Sequence, residues 1–162
     1  MRFRVSPRML RIALNLWPPF RGAGIRVRTI AADWSHARVE LRQGWFNSNF
    51  HGVHFGGSLF AMTDPFPALL LQQQLGPDYK VVDQRSRIEF LKPGLGRLTV
   101  DTRVPDGEAE RLRRAGENGA KLLPEYCVEV IDQSGAVVAR VHRTVYVRRR
   151  LSTSTESPRG TS

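Results

Sequence analysis

One segment governs what this 162-residue chain can fold into. Residues 58–76, SLFAMTDPFPALLLQQQLG, are apolar on nearly every side and long enough for a helix. A helix without a polar face belongs inside a domain rather than on its surface. The spacing predicts it over 57–75, stopped by Gly76-Pro77, with a kink or break right after Asp64. The ring nitrogens of Pro65 and Pro67 cannot donate back to the carbonyls of Ala61 and Thr63.

Most of the remaining chain reads as wrapping for that helix. Residues 24–30 (GIRVRTI) set Ile25, Val27 and, less regularly, Thr29 against Arg26 and Arg28. Residues 37–43 (ARVELRQ) set Val39 and Leu41 against Arg38, Glu40 and Arg42. Strict alternation of this kind marks half-buried strands with one solvated face. Strands are also expected at YKVVDQRSRIEFL, from residue 79, and at RLTVDTRV beyond the Lys92-Pro93-Gly94 turn. EYCVEVID and AVVARVHRTVYVRR flank Gln133-Ser134-Gly135, which reads as a hairpin. Residues 106–121 are polar and predict a short solvated helix with a loop. The layout is α+β, a bent antiparallel sheet of about six strands wrapped around one long helix. A sheet covered by so little leaves apolar surface over, so a homodimer or homotetramer is expected.

A further helix is predicted at 7–17, PRMLRIALNLW, with Met9, Ile12, Ala13, Leu16 and Trp17 as one apolar stripe. Ser6 can cap it, Pro7 suits its first turn, and Pro18-Pro19 should stop it. The stripe is expected to pack on the domain, with a membrane surface as the other option. Residues 1–150 form one domain in this reading. The tail over 151–162, LSTSTESPRGTS, has no apolar periodicity and is expected to be disordered.

The net charge is +10, from 25 basic and 15 acidic residues. The excess is diffuse and mostly arginine, and it lacks a recognition helix or interleaved aromatics, so nucleic acid is not the expected partner. No run approaches the roughly 20 apolar residues that cross a bilayer, and no integral membrane association is expected. The basic start lacks the pattern of a secretory signal, which makes a cytoplasmic location the expectation. The single cysteine, Cys127, excludes an intramolecular disulfide and is expected to be a buried strand residue. Four scattered histidines with no paired spacing give no support for a metal site.

The candidate chemistry lies in Asn49-Phe50-His51-Gly52-Val53-His54-Phe55-Gly56-Gly57, with Asp64 seven residues on. Gly56-Gly57 falls where a loop enters the buried helix, so free N–H groups there face outward at the positive end of the helix dipole. A carbonyl oxygen approaching them meets an oxyanion hole, and glycine lets it come close. Asp64 sits about two helical turns on, roughly 10 Å along the axis and on nearly the same face. Among Phe60, Met62, Phe66 and Leu69, its carboxylate is either desolvated toward a general base or held by specific partners.

The pattern N-x-x-G-x-x-(H)-G-G-x6-D resembles the active-site signature of hot-dog-fold acyl-CoA thioesterases of the phenylacetate-degradation (PaaI-like) group. HFGGSLFAMTDP, with WPPFRGAG before it and FLKPGLG after, is similar to a bacterial branch that carries a domain-of-unknown-function label. That branch is sometimes named tetrameric acyl-CoA thioesterase. The resemblance spans about residues 7–148. It implies hydrolysis of an acyl-CoA or acyl-carrier thioester at a subunit interface, with no cofactor beyond the coenzyme A of the substrate. Carried over by position, the catalytic carboxylate, nucleophile or base, falls on Asp64. The oxyanion glycine falls on Gly56 with Gly57 beside it, and the positioning asparagine on Asn49. A polar position on the strand after the helix falls near Asp83, where the family has serine or threonine. Where the family often has histidine before the two glycines, this chain has Phe55, with His54 one residue earlier.

Phe55, His54, Phe60, Asp83 and Arg85 are the expected substrate-binding residues. Phe46, Phe50, Phe55, Phe60, Met62 and Phe66 are expected to line an acyl tunnel, and Arg85, Arg87, Arg143 or Arg148 to grip the phosphates of coenzyme A. The same residues admit a structural reading. Asp64 can serve the helix break, Asn49 a turn, the glycines tight packing, and His51 and His54 the loop or core. The alternative function is a non-catalytic acyl-thioester or lipid-binding module of the same fold.

Overall fold

The computed structural model describes residues 5–150. Its elements, in order, are α1 (Pro7–Leu16), α2 (Pro18–Ala23), β1 (Ile25–Ile30), β2 (His36–Arg42), a 3-10 turn (Trp45–Asn47), α3 (Gly56–Ala61) and α4 (Phe66–Leu75). β3 (Tyr79–Phe90), β4 (Arg97–Arg103), α5 (Glu108–Ala115), β5 (Glu125–Ile131) and β6 (Val137–Arg149) follow. The expected disorder of 151–162 concerns residues outside those described.

The six strands form one antiparallel sheet in the order β1-β2-β4-β5-β6-β3. Its apolar face closes on α4, where Phe66, Leu70, Leu71 and Leu75 pack against Val39, Leu98, Val100, Val130 and Val145. Burying a side chain the size of Phe66 contributes about 1.5–3 kcal/mol. This curled sheet around a central helix is the hot-dog arrangement. The central helix comes in two pieces, α3 and α4, separated at 62–65 around a cis Asp64–Pro65 bond.

Several local expectations shift. A bulge between Val27 and Thr29 resets the alternation of β1, so Ile30 turns inward and Thr29 outward. Cys127 is exposed, because Val128 and Val130 take the core side of β5 and leave it on the outer face opposite His142. Pro18-Pro19 end α1 and also begin α2, since proline is tolerated in a first turn. α5 buries Ala109 and Leu112, so it is not a wholly solvated helix.

The stripe of α1 faces away from the domain. Met9 is 64% exposed, Ile12 54% and Leu16 62%, while Leu10 and Leu14 pack inward. The cause is Asn15. Its Oδ1 accepts from Val27 N at 2.8 Å and its Nδ2 donates to Val27 O at 3.0 Å, so it docks α1 on the outer edge of β1. That side-chain amide satisfies an edge-strand peptide that would otherwise be open. β3, at the other end of the sheet, has no neighbouring strand on its outer side among the described residues.

Candidate active site

The loop that leads into α3 is pinned by Asn47, which is buried. Its Oδ1 accepts from Gly44 N at 2.7 Å. Its Nδ2 donates to Ala23 O at 2.8 Å and Arg42 O at 2.7 Å, joining the end of α2 to the end of β2. Gly24 makes this possible. Its φ is +77°, and a Cβ there would collide with the Asn47 amide and the Arg42 carbonyl.

Beyond Asn47 the chain turns back on itself. Asn49 Oδ1 accepts from His51 N at 2.9 Å and Val53 N at 3.3 Å, closing the turn through Gly52. Asn49 also lines a cavity of about 920 Å³. Phe46, Phe50, Phe55, Gly56, Gly57 and Ala61 share its wall, along with Gly22 and Ala23 of α2. Gly56 and Gly57 are the first two residues of α3, and their N–H groups have no hydrogen-bond partner among the described residues. Side-chain room is scarce there. A Cβ on Gly56 would lie 3.0 Å from the Phe90 ring, and one on Gly57 would run into the ring of Phe55.

His54 does not reach this cavity. It is buried against the loop at 94–96, with its backbone N–H on Gly94 O at 2.9 Å and Nε2 2.8 Å from Gly96 O. Burial pushes its pKa down, so the neutral ring donates from Nε2. Met62 and Phe66, expected in the tunnel, are fully buried in the core. The prolines redirect the chain after Ala61, and both side chains turn toward the sheet instead.

The break between α3 and α4 is organised by a residue the sequence offered only as a phosphate ligand. Arg143 reaches across from β6 with its side chain 1% exposed. Its Nη1 lies 3.0 Å from Asp64 Oδ1, 2.8 Å from Asp83 Oδ2 and 3.3 Å from Ser86 Oγ. Its Nη2 donates to Thr63 Oγ1 at 2.9 Å and Phe60 O at 3.5 Å. The guanidinium also stacks 4.9 Å from the Phe60 ring centroid, a cation–π contact. Phe60 thus serves Arg143 and is not part of the cavity wall.

Asp64 is therefore held by a specific partner, and its side chain stays about half exposed to solvent. Asp83 is more enclosed. Burial pushes its pKa up, Asp64 adds to the rise, and Arg143 opposes it. The structure brings Asp64 and Asp83 together on one guanidinium but leaves Asp64 out of the wall of the glycine cavity. An inward-facing arginine on a strand that reads as alternating was the available signal. What the sequence could not supply was the register that sets Arg143 opposite Ser86.

A bulge between Asp83 and Arg85 sends the two residues to opposite faces. Asp83 pairs with Val145 on the core side. Arg85 pairs with Thr144 and lines a separate recess of about 380 Å³ with Arg87, His142 and Cys127. Arg85 has no ionic partner among the described residues, whereas Arg87 pairs with Glu89 at 2.8 Å and Arg148 donates to Gly119 O. Among the described residues no three His, Cys, Asp or Glu side chains gather as metal ligands would, and no helix is long and apolar enough to cross a membrane.

Solved structures share this architecture. PA5026 from Pseudomonas aeruginosa, a protein of unknown function described as a probable thioesterase, superposes with a TM-score of 0.77 at 21% identity. The match covers 90% of this chain and 97% of that one. Thioesterase HI1161 from Haemophilus influenzae gives 0.65 at 13% identity over 94% and 96% of the two chains. The PaaI protein of the E. coli phenylacetic acid degradation operon gives 0.60 at 20% identity, over 86% and 89%. At these identities the likeness establishes the fold. No curated protein sequence matches the chain. The family model described as a domain of unknown function, DUF4442, matches residues 6–147, and the chain belongs to that family.

Proposed function

We propose that this protein hydrolyses acyl thioesters of coenzyme A or an acyl carrier, at a site shared between two protomers. The observation that carries this reading is the pair of N–H groups on Gly56 and Gly57, without partners among the described residues, at an apolar cavity in a chain whose arginine-held Asp64 is half open to solvent. Asp64 stands outside that cavity within one chain, so the reading needs a second copy to bring carboxylate and glycines together. The open edge of β3 offers a place for such a copy to pair. The neighbours named as thioesterases support the same class of chemistry.

In this mechanism the thioester oxygen accepts from the Gly56 and Gly57 N–H groups, and these stabilise the charge that develops as the carbon becomes tetrahedral. The acyl chain lies along Phe46, Phe50 and Phe55. Asp64 takes a proton from the attacking water, the C–S bond breaks, and the proton passes to the departing thiolate. If Asp64 attacks directly, an acyl anhydride forms and water then cleaves it, with the same overall balance. Arg143 fixes the carboxylate's direction, and Asn49 offers its side-chain N–H groups to the reacting atoms. Arg85, without an ionic partner among the described residues, is the arginine best placed to receive the phosphates of coenzyme A.

The test is thiol release from short, long and aromatic acyl-CoAs by wild type and by Asp64→Asn. Wild type should turn over at least one class, and the substitution should lower the rate by about 10²–10⁴-fold while the protein stays folded. Equal rates for the two proteins would remove Asp64 from the mechanism. No release by a folded wild-type oligomer that still binds acyl-CoA would leave the non-catalytic binding module.

A further inference from the structure

We propose that the outward face of α1 docks this protein reversibly on an anionic lipid surface. The face is apolar and, among the described residues, exposed. Met9, Ile12 and Leu16 stand one turn apart along a helix about 15 Å long, and Trp17 (47% exposed) continues the face just past its end. The orientation is fixed from behind, because Asn15 clamps α1 to Val27 and Leu10 and Leu14 pack inward. The stripe therefore cannot turn in to join the core without breaking that clamp.

Charge selects the occupant. The first 32 residues contain seven arginines and no carboxylate, the first acidic residue being Asp33. Arg8 on α1, Arg21 on α2 and Arg26 on β1 are exposed and form no ion pair among the described residues. An apolar helix face with a terminal tryptophan and flanking arginines suits the boundary between anionic headgroups and acyl chains. A second copy of the same face would bring arginines against arginines, which disfavours self-association there. α1 also leads directly into α2, whose Gly22 and Ala23 wall the cavity beside Gly56, so a docked helix would hold that cavity close to the surface.

The experiment is co-sedimentation of the full-length protein with phosphatidylcholine vesicles, with and without phosphatidylglycerol, at low and high salt. Binding is expected on the anionic vesicles at low salt and should fall by at least about tenfold on neutral vesicles or at high salt. Ile12→Ser/Leu16→Ser should abolish it with circular dichroism unchanged, since both side chains are exposed. Arg8→Gln/Arg21→Gln should weaken it without touching the apolar face. Absence of wild-type binding, equal binding to neutral vesicles, or full binding by Ile12→Ser/Leu16→Ser would each overturn the proposal. If that double variant instead lowers the oligomer mass and leaves vesicle binding intact, the face is a subunit interface.

Discussion

The start of α3 and the break at its end lie within ten residues of each other, and they handle polar groups in opposite ways. At the start, Gly56 and Gly57 leave two N–H groups unpaired among the described residues, beside an apolar cavity. At the break, the guanidinium of Arg143 gathers five oxygens, from Asp64, Asp83, Ser86, Thr63 and Phe60. The difference follows from what each place lacks. A helix start has donors to spare and needs only small residues for a partner to approach them. The break lacks donors for a cluster of side-chain oxygens, those of Asp64, Asp83, Ser86 and Thr63, and arginine carries five N–H donors in one planar group. The first region is thus poised for an incoming acceptor, and the second is filled from within except at Arg143 Nε and Asp83 Oδ1, which have no hydrogen-bond partner among the described residues.

The sharpest way to break this contrast is to remove the guanidinium. Arg143→Leu should destabilise the fold by about 3 kcal/mol, because Asp83, Ser86 and Thr63 would lose their common donor inside the structure. The cost stays near the low end for a buried ion pair, since Asp64 can turn to water. Arg143→Lys should recover part of it, as one ammonium cannot span both the Asp64–Asp83 side and Thr63. Urea unfolding of the three proteins measures this. A Leu variant as stable as wild type would mean that the acceptors at the break are satisfied without Arg143.

Much of this contrast was legible in the sequence in outline. The all-round apolarity of 58–76 located the central helix, the prolines located its break beside Asp64, and the alternating segments located six strands. The glycine pair could be placed at a helix start because a loop must enter there. What stayed hidden depends on register. Asp83 and Arg85 are two residues apart and read as one face until a bulge separates them. Arg143 reads as one more arginine in a basic strand until its opposite number is known to be Ser86. The stripe of α1 was visible, but its direction was set by Asn15, a single polar residue with no pattern of its own.

A smaller perturbation sharpens the open side of the comparison. Asn47→Ala deletes three hydrogen bonds and leaves the carbonyls of Ala23 and Arg42 without that donor, at an expected cost of about 1–3 kcal/mol. The effect should be local. Hydrogen exchange should accelerate across 43–57 and remain slow in α4 and the sheet, with the Arg143 cluster intact. Uniform acceleration throughout the domain would show that the loop and the break are one cooperative unit rather than two separately built regions.

The smallest expected effect concerns the filled side, and it depends on pH. Asp83 has its pKa raised in the folded protein, chiefly by burial, with the neighbouring Asp64 adding to the rise. A carboxyl that holds its proton more tightly when folded contributes stability below its unfolded pKa. That contribution is lost as pH rises through the folded value. Above that range the cluster holds two carboxylates on one guanidinium, a net negative charge in a poorly solvated place. Asp83→Asn removes one of those charges and keeps an oxygen that can accept from Arg143. The melting temperature of the variant should therefore gain on that of wild type as the buffer moves from about pH 4 to pH 8. The gain should be modest, because Arg143 already offsets part of the repulsion. A variant that instead loses ground with rising pH would mean that ionised Asp83 is a net stabilising partner of Arg143, and that the break needs both carboxylates to hold its arginine.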